Sequence, residues 1–244
     1  MRVTVASYNI HKGEGLDRRY DLGRTAEVLR ELDADVIGIQ EVFRPQAEAL
    51  ASGLGMQMAM GVTRMRDDMP YGNAVLSRFD IRGFRDFDLT RPPREPRGGV
   101  RLDVQVGGLV LHLFNVHFGL KISERAAQVE LLVRTHMFGA DLIGPRVVMG
   151  DLNEWFPGPV RRVLRAEFHG PCFRRTHPAP LPVFALDRIY WDRHVHSDGF
   201  RVHRSRLARV ASDHLPVVAG LRLATVSGAA GAGAPHPRLA SAAG

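Results

Sequence analysis

The sequence of 244 residues contains a single cysteine, Cys172, which excludes an intrachain disulfide and a cysteine-rich zinc site. It has no apolar run near the roughly 20 residues that a membrane-spanning helix needs. The first residues enter a strand-like segment without the apolar core and cleavage site of a secretion signal. These absences predict a protein without transmembrane segments that resides in the reducing cytoplasm.

Lysine is almost absent, since only Lys12 and Lys121 occur and arginine supplies the other basic side chains. The formal net charge is +7 and the isoelectric point is near 10.4. A positive field concentrates polyanions, so one interpretation is a phosphate-bearing partner. The other is that arginine merely replaces lysine as the solubilising cation, and charge alone leaves both open.

The length, with 45% hydrophobic residues, is sufficient for one substantial core. One folded domain is therefore predicted over residues 1–224. Residues 225–244 are rich in alanine, glycine and proline and poor in large apolar side chains. They cannot bury enough surface to offset the entropy of ordering, so a disordered tail is predicted there.

Periodicity predicts a mixture of helices and strands. Apolar residues at helical spacing predict one helix over residues 21–32, with Asp21 near its N-cap, and another over residues 123–138, with Ser123 as its N-cap. Glycines 107 and 108 predict a hairpin turn. Strands are predicted at residues 3–8, 34–40, 73–77, 81–89, 99–106, 109–117 and 146–150, with two more beside positions 187 and 213. Hairpins combined with crossovers predict an α+β fold, a mixed-sheet sandwich with helices outside.

Polar side chains recur where the predicted strands end. Asn9, Glu41 and His117 each follow an apolar strand, and Asp151 and Asn153 follow another. A single carboxylate at such a position is usually a turn former or a helix cap. Several independent strands that end in this way favour a shared functional site over that structural interpretation.

These residue types are the ones that phosphate ester cleavage needs. The reaction requires oxygen ligands for a hard cation, an oriented water and groups that neutralise the phosphate oxygens. Glu41 supplies anionic oxygens for magnesium, and the Asn9 amide can bind metal or phosphate. Asp151 and Asn153 can orient a nucleophile, and the pair at 213–214 adds a carboxylate and a titratable donor.

A series of short motifs surrounds these residues. They are Ser-Tyr-Asn9-Ile-His, Gly-Ile-Gln-Glu41-Val, Tyr-Gly-Asn73-Ala-Val-Leu-Ser, Asn-Val-His117, Gly-Asp151-Leu-Asn153-Glu-Trp, Leu-Asp187-Arg-Ile and Ser-Asp213-His214-Leu-Pro. In this order they resemble the endonuclease/exonuclease/phosphatase superfamily of DNase I-like metal-dependent phosphodiesterases. The resemblance extends over residues 3–223. Within the superfamily, Asn-Ile-His-Lys-Gly and Asn-Glu-Trp155 resemble a branch of small bacterial phosphodiesterases.

The resemblance implies both a fold and a cofactor. The implied fold is a four-layered α/β sandwich, in which two packed mixed sheets carry helices on their outer faces. The implied cofactor is Mg²⁺, with Mn²⁺ able to substitute. Its implied ligands are Asn9, Glu41 and Asp213.

The resemblance also implies roles in catalysis. Asp151 would orient or deprotonate the attacking water, and Asn153 would help to hold the phosphate. The implied catalytic set is His117, Asp151, Asn153, Asp187 and His214, in which the carboxylate at 187 fixes the tautomer of the imidazole at 214. The implied substrate-binding residues are Asn73 and Arg97, the latter because a guanidinium suits a bidentate phosphate contact.

Several residues depart from the pattern or stay outside it. His11 stands where several nuclease members carry an acid, so the number of bound metal ions is left open. The histidines in Arg- or Pro-rich loops, among them His177 and His203, have no evident partner and are interpreted as surface residues. Trp155 and Trp191 are predicted to pack at the rim of the sandwich rather than to stack on a base.

The leading hypothesis is hydrolysis of a phosphodiester by water activated near magnesium. A nuclease and a lipid or small-molecule phosphodiesterase share this chemistry, so a nucleic acid and a phospholipid-related substrate both stay open. The alternative is a catalytically silent module of the same fold that binds nucleic acid or anionic membrane. Against it, no expected catalytic acid is missing. The sequence leaves endo or exo action and the oligomeric state open.

Overall fold

The computed structural model describes residues 1–139, 141–170 and 174–224. Cys172 and the tail at 225–244, which was predicted to be disordered, lie outside the described residues. The strands are β1 (Arg2–Asn9), β2 (Val36–Phe43), β3 (Gln57–Arg66), β4 (Met69–Ser77), β5 (Ile81–Asp88), β6 (Gly98–Val106), β7 (Leu109–His117), β8 (Arg146–Asp151), β9 (Asp187–Trp191), β10 (Val195–Val202) and β11 (Val217–Leu223). The helices are α1 (Leu22–Leu32), α2 (Arg44–Leu54), α3 (Ile122–Leu131), α4 (Pro159–Glu167) and α5 (Ala208–Ala211), with a 3-10 turn at His11–Gly13 and a π-helical turn at Leu132–His136.

The strands form two mixed sheets. One has the strand order β10-β11-β1-β2-β4-β3, and the other has the order β5-β6-β7-β8-β9. In the first sheet β1 runs parallel to β2 and antiparallel to β11. In the second sheet β7 runs parallel to β8, which is antiparallel to β9. The prediction of mixed sheets joined by hairpins and crossovers is therefore confirmed.

Apolar side chains pack in three layers of core. Val5 and Val100 belong to the core between the two sheets. Helices α1 and α2 pack on the outer face of the first sheet, around Ile37, and α3 and α4 pack on the second, around Phe114. Burial of this surface, at about 25 cal/mol per Å², is the main favourable term in folding. The predicted four-layered α/β sandwich is confirmed.

Three local predictions concern two helix caps and a hairpin turn. Two of them are confirmed and one is wrong. The Asp21 carboxylate accepts a hydrogen bond from a first-turn N–H of α1 at 2.9 Å, as an N-cap should. Gly107 has a φ of +57° in the predicted hairpin turn. Ser123 does not cap α3, because the helix begins one residue earlier with Lys121 at the N-cap. There Glu124 Oε2 accepts a hydrogen bond from the Lys121 N–H at 3.5 Å, so the acid at the third helical position sets the start.

The sequence periodicity misses α2, β3, α4, α5 and β10. Helix α4 contains Pro159 and three arginines and buries only Val160 and Leu164, too few apolar residues for a clear helical signal. Strand β10 lies at the edge of its sheet and carries a bulge. The predicted helix at 123–138 corresponds to α3 followed by the π-helical turn. No helix within the described ranges is long and apolar enough to cross a membrane.

Strand ends from both sheets meet along one edge of the sandwich. His117, Asp151 and Asp187 lie side by side in register on β7, β8 and β9. Strand β1 ends at Asn9, and Ser212 before β11 donates its hydroxyl to the Asn9 carbonyl oxygen at 2.8 Å. This edge, which we call the site edge, therefore gathers the polar residues that the sequence places after separate strands.

A buried ion pair fixes the backbone just beyond the site edge, and we expect it to be needed for stability. Arg188 Nη1 donates to Glu154 Oε2 at 2.8 Å, and the two side chains are 6% and 0% exposed. The change Arg188→Met leaves a buried carboxylate without its cation and is expected to lower the free energy of unfolding by about 3–5 kcal/mol. Urea denaturation measures this loss.

The surface pair of Arg222 with Asp198 is the matched control. The Arg222 side chain is 56% exposed, so Arg222→Met should cost less than about 1 kcal/mol. Equal losses for the two variants would contradict the role of burial in this prediction.

Candidate active site

The side chain of Asn9 joins the two sheets at the centre of the site edge. Its Nδ2 donates to Glu41 Oε1 and to Asp151 Oδ2, each at 3.1 Å, and its Oδ1 accepts from the His11 N–H at 3.0 Å. Glu41 belongs to β2 of the first sheet and Asp151 to β8 of the second. The amide therefore holds two carboxylates from different sheets on either side of itself.

A break in strand pairing aims Glu41 into the site. The register of β2 against β4 shifts between Ile39 and Val42, and Glu41 has a φ of +55°, which a side chain other than glycine rarely adopts. Its Oε2 accepts a hydrogen bond from the Tyr71 hydroxyl at 3.0 Å. The bulge and this hydroxyl hold the carboxylate in place.

Glu41 is ionised in this setting. Burial alone would raise its pKa, but the charge that His117 carries in acid and hydrogen bonds from Asn9 and Tyr71 outweigh burial and lower the pKa to about 2. Among the described residues, no arginine, lysine or histidine forms an ion pair with it. A half-buried carboxylate with only neutral donors as partners is a candidate ligand for a cation.

The floor of the site is a network of buried amides between the sheets. Asn115 Nδ2 donates to the carbonyl oxygens of Ile39 and Ala74, each at 2.9 Å, and Gln40 Nε2 donates to Ser7 Oγ at 3.1 Å and to Asn115 Oδ1. These hydrogen bonds link buried polar groups where water is excluded. They therefore fix β2 and β7 relative to each other beneath the site.

Asp151 lies at the meeting point of the second sheet's polar residues. Its Oδ1 accepts from the Asn153 N–H at 2.9 Å, and its Oδ2 is 3.5 Å from His117 Nε2 and 3.7 Å from His214 Nε2. Burial raises its pKa to about 6; the charge of His214 opposes that rise and Asp187 adds to it. The carboxylate can therefore take up a proton near neutral pH.

Asp187 and His214 form a buried acid–histidine pair. His214 Nδ1 is 2.8 Å from Asp187 Oδ2, which directs its Nε2 towards Asp151. Burial opposes the charged imidazole, but the carboxylates of Asp187 and Asp151 outweigh burial and raise the pKa of His214 to about 10. The ring is therefore an imidazolium at neutral pH.

His117 has the opposite electrostatic character. Burial and the neighbouring Arg97 guanidinium lower its pKa to about 3, so this imidazole is neutral. Arg97 Nη1 lies 2.9 Å from His117 Nε2, and Asn153 Nδ2 lies 3.2 Å from the same nitrogen. The site thus contains one charged and one neutral histidine.

A small cavity opens beside His117. Its lining includes Arg97, Arg64 and Asn73. Both arginines pair with Glu95, and the Asn73 amide donates to the Gly98 carbonyl oxygen at 2.9 Å. Asn73 therefore joins β4 to β6 across the cavity wall, while Arg97 offers a cation to the cavity.

Asp213 lies on the first-sheet side, beside two histidines. His177 Nε2 is 3.7 Å from its Oδ2, and His11 Nδ1 is 4.0 Å from its Oδ1. Burial alone would raise the pKa of Asp213, but contact with His177 and the charges of His214 and His11 hold it well below its usual range. Ser212 Oγ, which donates to the Asn9 carbonyl oxygen, lies 3.3 Å from Asp213 Oδ1.

Comparison with known proteins agrees with this geometry. A model of the Endonuclease/Exonuclease/phosphatase family matches residues 6–214. The chain belongs to this family. The chain is also 30% identical to the uncharacterized protein YbhP of Escherichia coli, in an alignment that covers 90% of this chain and 96% of YbhP.

Solved structures share the fold. A mannosyl-6-phosphatase of Bacteroides thetaiotaomicron superposes with a TM-score of 0.77 at 21% identity, covering 91% of this chain and all of that one. The human Nocturnin catalytic domain with a bound sulfate anion superposes with a TM-score of 0.70 at 19% identity, covering 91% and 94%. At these identities the likeness concerns the fold alone.

The endonuclease/exonuclease/phosphatase family acts on phosphoester bonds and generally uses divalent metals. The residue types here fit a hard divalent cation, because the Glu41 carboxylate lacks a cationic partner in the described chain and adjoins the Asn9 amide, whose Nδ2 donates to it. Two further groups of possible ligands each lie within 4.8 Å: His177, Asp213 and His214, and Asp151, Asp187 and His214. Asp213 thus clusters with histidines, whereas Glu41 clusters with Asn9.

Sequence reasoning missed residues of the site in two places. His177 is predicted to be a surface residue, but it lies against Asp213 and its ring centroid is 4.8 Å from that of His214. His203 is also predicted to be a surface residue. It lies away from the site, where its Nε2 is 2.6 Å from Glu31 Oε2. Tyr71, which holds Glu41, was not singled out. Both His177 and Tyr71 act through contacts across the fold, for which the local sequence carries no signal.

The two tryptophans differ in burial. Trp191 is buried at the end of β9, in agreement with the predicted packing role. Trp155 packs against Phe184, with ring centroids 4.5 Å apart, but is 44% exposed.

Proposed function

We propose that the chain is a divalent-metal-dependent phosphodiesterase in which Asp151 activates the attacking water. The observation that carries the proposal is the continuous set of contacts from Glu41 through Asn9 to Asp151, and from Asp151 through His214 to Asp187. It combines an ionised oxygen ligand, a carboxylate with a raised pKa and an imidazolium at one edge of the fold. These are the groups that phosphoryl transfer to water needs.

Each side chain has a distinct task in this proposal. Water adds to phosphorus as its proton passes to Asp151, while the P–O bond to the leaving group breaks. Asn153 holds Asp151 through its backbone N–H and lies beside His117, and its amide, which donates to the Phe118 carbonyl oxygen at 2.9 Å, would help to hold the phosphate. The His214 imidazolium, held by Asp187, offsets the negative charge that builds up on the phosphate.

The cation belongs to the same edge in this proposal. Glu41, Asn9 and Asp213 would hold Mg²⁺, for which Mn²⁺ would substitute, and the ion would neutralise charge on the phosphate oxygens. Arg97 would bind the substrate from the other side, next to the neutral His117. The bound phosphate would then lie between the two sheets.

Removal of the metal tests the proposal directly. Hydrolysis of bis-p-nitrophenyl phosphate should require Mg²⁺ or Mn²⁺ and stop in EDTA. Glu41→Gln removes an anionic oxygen and should raise the Mg²⁺ concentration for half-maximal rate by about 10–100-fold or more. Rates are measured against Mg²⁺ concentration for the wild type and the variant.

Glu48→Gln is the matched control, since this exposed glutamate lies on α2 away from the site edge. It should leave the Mg²⁺ dependence unchanged. Turnover that survives EDTA at full rate would contradict metal dependence. Stoichiometric binding of an anionic ligand without turnover would instead support a catalytically silent module. Parallel assays with p-nitrophenyl phosphate separate diester from monoester hydrolysis, the latter being the kind of reaction named for the Bacteroides relative.

A further inference from the structure

Bulky apolar side chains project into solvent beside the site edge. We call them the apolar collar, and they are Leu120, Ile122, Trp155, Phe156, Leu181 and Val183, which are between 44% and 76% exposed. Soluble proteins rarely expose a contiguous group of this kind without a binding role. The collar therefore indicates a binding surface for another molecule.

The collar is continuous with the site through three loops. Leu120 follows His117 at the end of β7, and Trp155 follows Asn153 after β8. Leu181 lies in the turn that the mutual backbone hydrogen bonds of His177 and Phe184 close, and Phe184 packs against Trp155. A surface bound to the collar would therefore lie directly over the site edge.

The loops that carry the collar are held by buried polar groups. Arg125 Nη1 donates to the carbonyl oxygens of Gly119 and Leu120, at 3.1 and 2.6 Å. Glu154 Oε1 accepts from the Val160 N–H at 2.9 Å at the start of α4. The backbone beneath the collar is thus fixed, and the exposure of its tips is a feature of the folded state.

Basic side chains that have no acidic partners in the described part of the chain lie next to the collar. Two adjoining grooves along α3 and α4 share Arg162, and their linings also include Lys121 and Arg165. Neither groove is lined by a carboxylate, and within the described part of the chain these three cations form no ion pair. The surface next to the collar is therefore positively charged as well as apolar.

We propose that the collar and its flanking cations dock the protein on an anionic phospholipid surface. Apolar tips that enter the acyl boundary, beside lysine and arginine at the headgroup level, are the combination that interfacial binding requires. Aliphatic tips such as Leu120 and Ile122 cannot stack on bases, which disfavours a nucleic acid as the occupant. Docking would present headgroup phosphodiesters of the bilayer to the site, an inference that rests on the proposed phosphodiesterase function.

Vesicle cosedimentation of the full chain in EDTA tests docking without turnover. The protein should bind vesicles of phosphatidylcholine with phosphatidylglycerol and bind those of phosphatidylcholine alone more weakly. The double variant Ile122→Ser/Phe156→Ser should lose about 100-fold in affinity, because two side chains no longer enter the bilayer. The double variant Arg162→Gln/Arg165→Gln should lose about 25-fold in affinity, at about fivefold per charge.

Control variants lie at the opposite edge of the sheets. Ile143, before β8, is 81% exposed, and Arg193 follows β9. Ile143→Ser and Arg193→Gln should bind vesicles as the wild type does. Hydrolysis of soluble bis-p-nitrophenyl phosphate, measured on every variant, reports the site separately, so loss of docking and loss of catalysis are distinguishable.

Three results would overturn the proposal. The first is the absence of vesicle binding by the wild type. The second is equal vesicle binding by the collar variants and the wild type. The third is loss of duplex DNA binding or of self-association in the collar variants while vesicle binding is unchanged, which would assign the surface to a nucleic acid or a second copy.

Discussion

Asp151→Asn is expected to lower kcat for bis-p-nitrophenyl phosphate by about 10²–10⁴-fold, the usual contribution of a positioned general base. The amide has the shape of the carboxylate and can still accept the Asn153 N–H at Oδ1. It cannot accept a proton from water at the position of Oδ2. Because substrate contacts at Arg97 and His117 are unchanged, KM should move much less than kcat. Steady-state kinetics at saturating Mg²⁺ measures both.

Asp192→Asn is the matched control for this change. Asp192 is a buried carboxylate as well, but it pairs with Arg146 at the opposite end of β8. Its loss should affect stability while leaving kcat of the folded protein near the wild-type value. If Asp151→Asn retained full kcat, water activation would have to be assigned to another group.

The Asp151 carboxylate should set the acid limb of the pH profile. Burial raises the pKa of Asp151 to about 6, so the base form increases as pH rises through that value and the rate should rise with it. A rate that is flat between pH 5 and pH 7, measured at saturating metal, would contradict the assignment of Asp151 as the base.

The strands of the site edge were predictable from sequence because their apolar runs are buried on both faces and end in polar residues. Asn9, His117 and Asp151 each lie at the last position of a strand, and parallel pairing within each sheet brings such ends together. Helix α4 was not predictable in this way. Its position depends on the Glu154 carboxylate at its first turn and on packing against α3.

The chemistry of the site was only partly predictable from the sequence. The residue types named by the motifs gather as expected, but their electrostatic division into a neutral His117 and a charged His214 depends on Arg97 and Asp187. Nor does the sequence show the bulge that aims Glu41. Burial and contacts across the fold decide both features, and neither has a local signature.

The pair of Asp187 and His214 is expected to act as one unit. His214→Ala should lower kcat/KM by about 10²–10⁴-fold, because the positive group that offsets phosphate charge is lost. Asp187→Asn should cost a similar factor, since the carboxylate that holds Nδ1 and favours the imidazolium is gone. The double variant should be no worse than His214→Ala alone, because Asp187 acts through the ring. A double-mutant cycle on kcat/KM measures this coupling.

The pH profile separates this positioning role from a structural one. Burial disfavours the imidazolium, and it is the Asp187 carboxylate above all that raises the pKa of His214 to about 10 in spite of it. In the wild type the rate should therefore fall only as pH rises through about 10. In Asp187→Asn that alkaline limb should move to lower pH, towards the ordinary histidine value of about 6.5. Additive losses in the cycle, together with an alkaline limb that does not move, would show that Asp187 merely supports the fold.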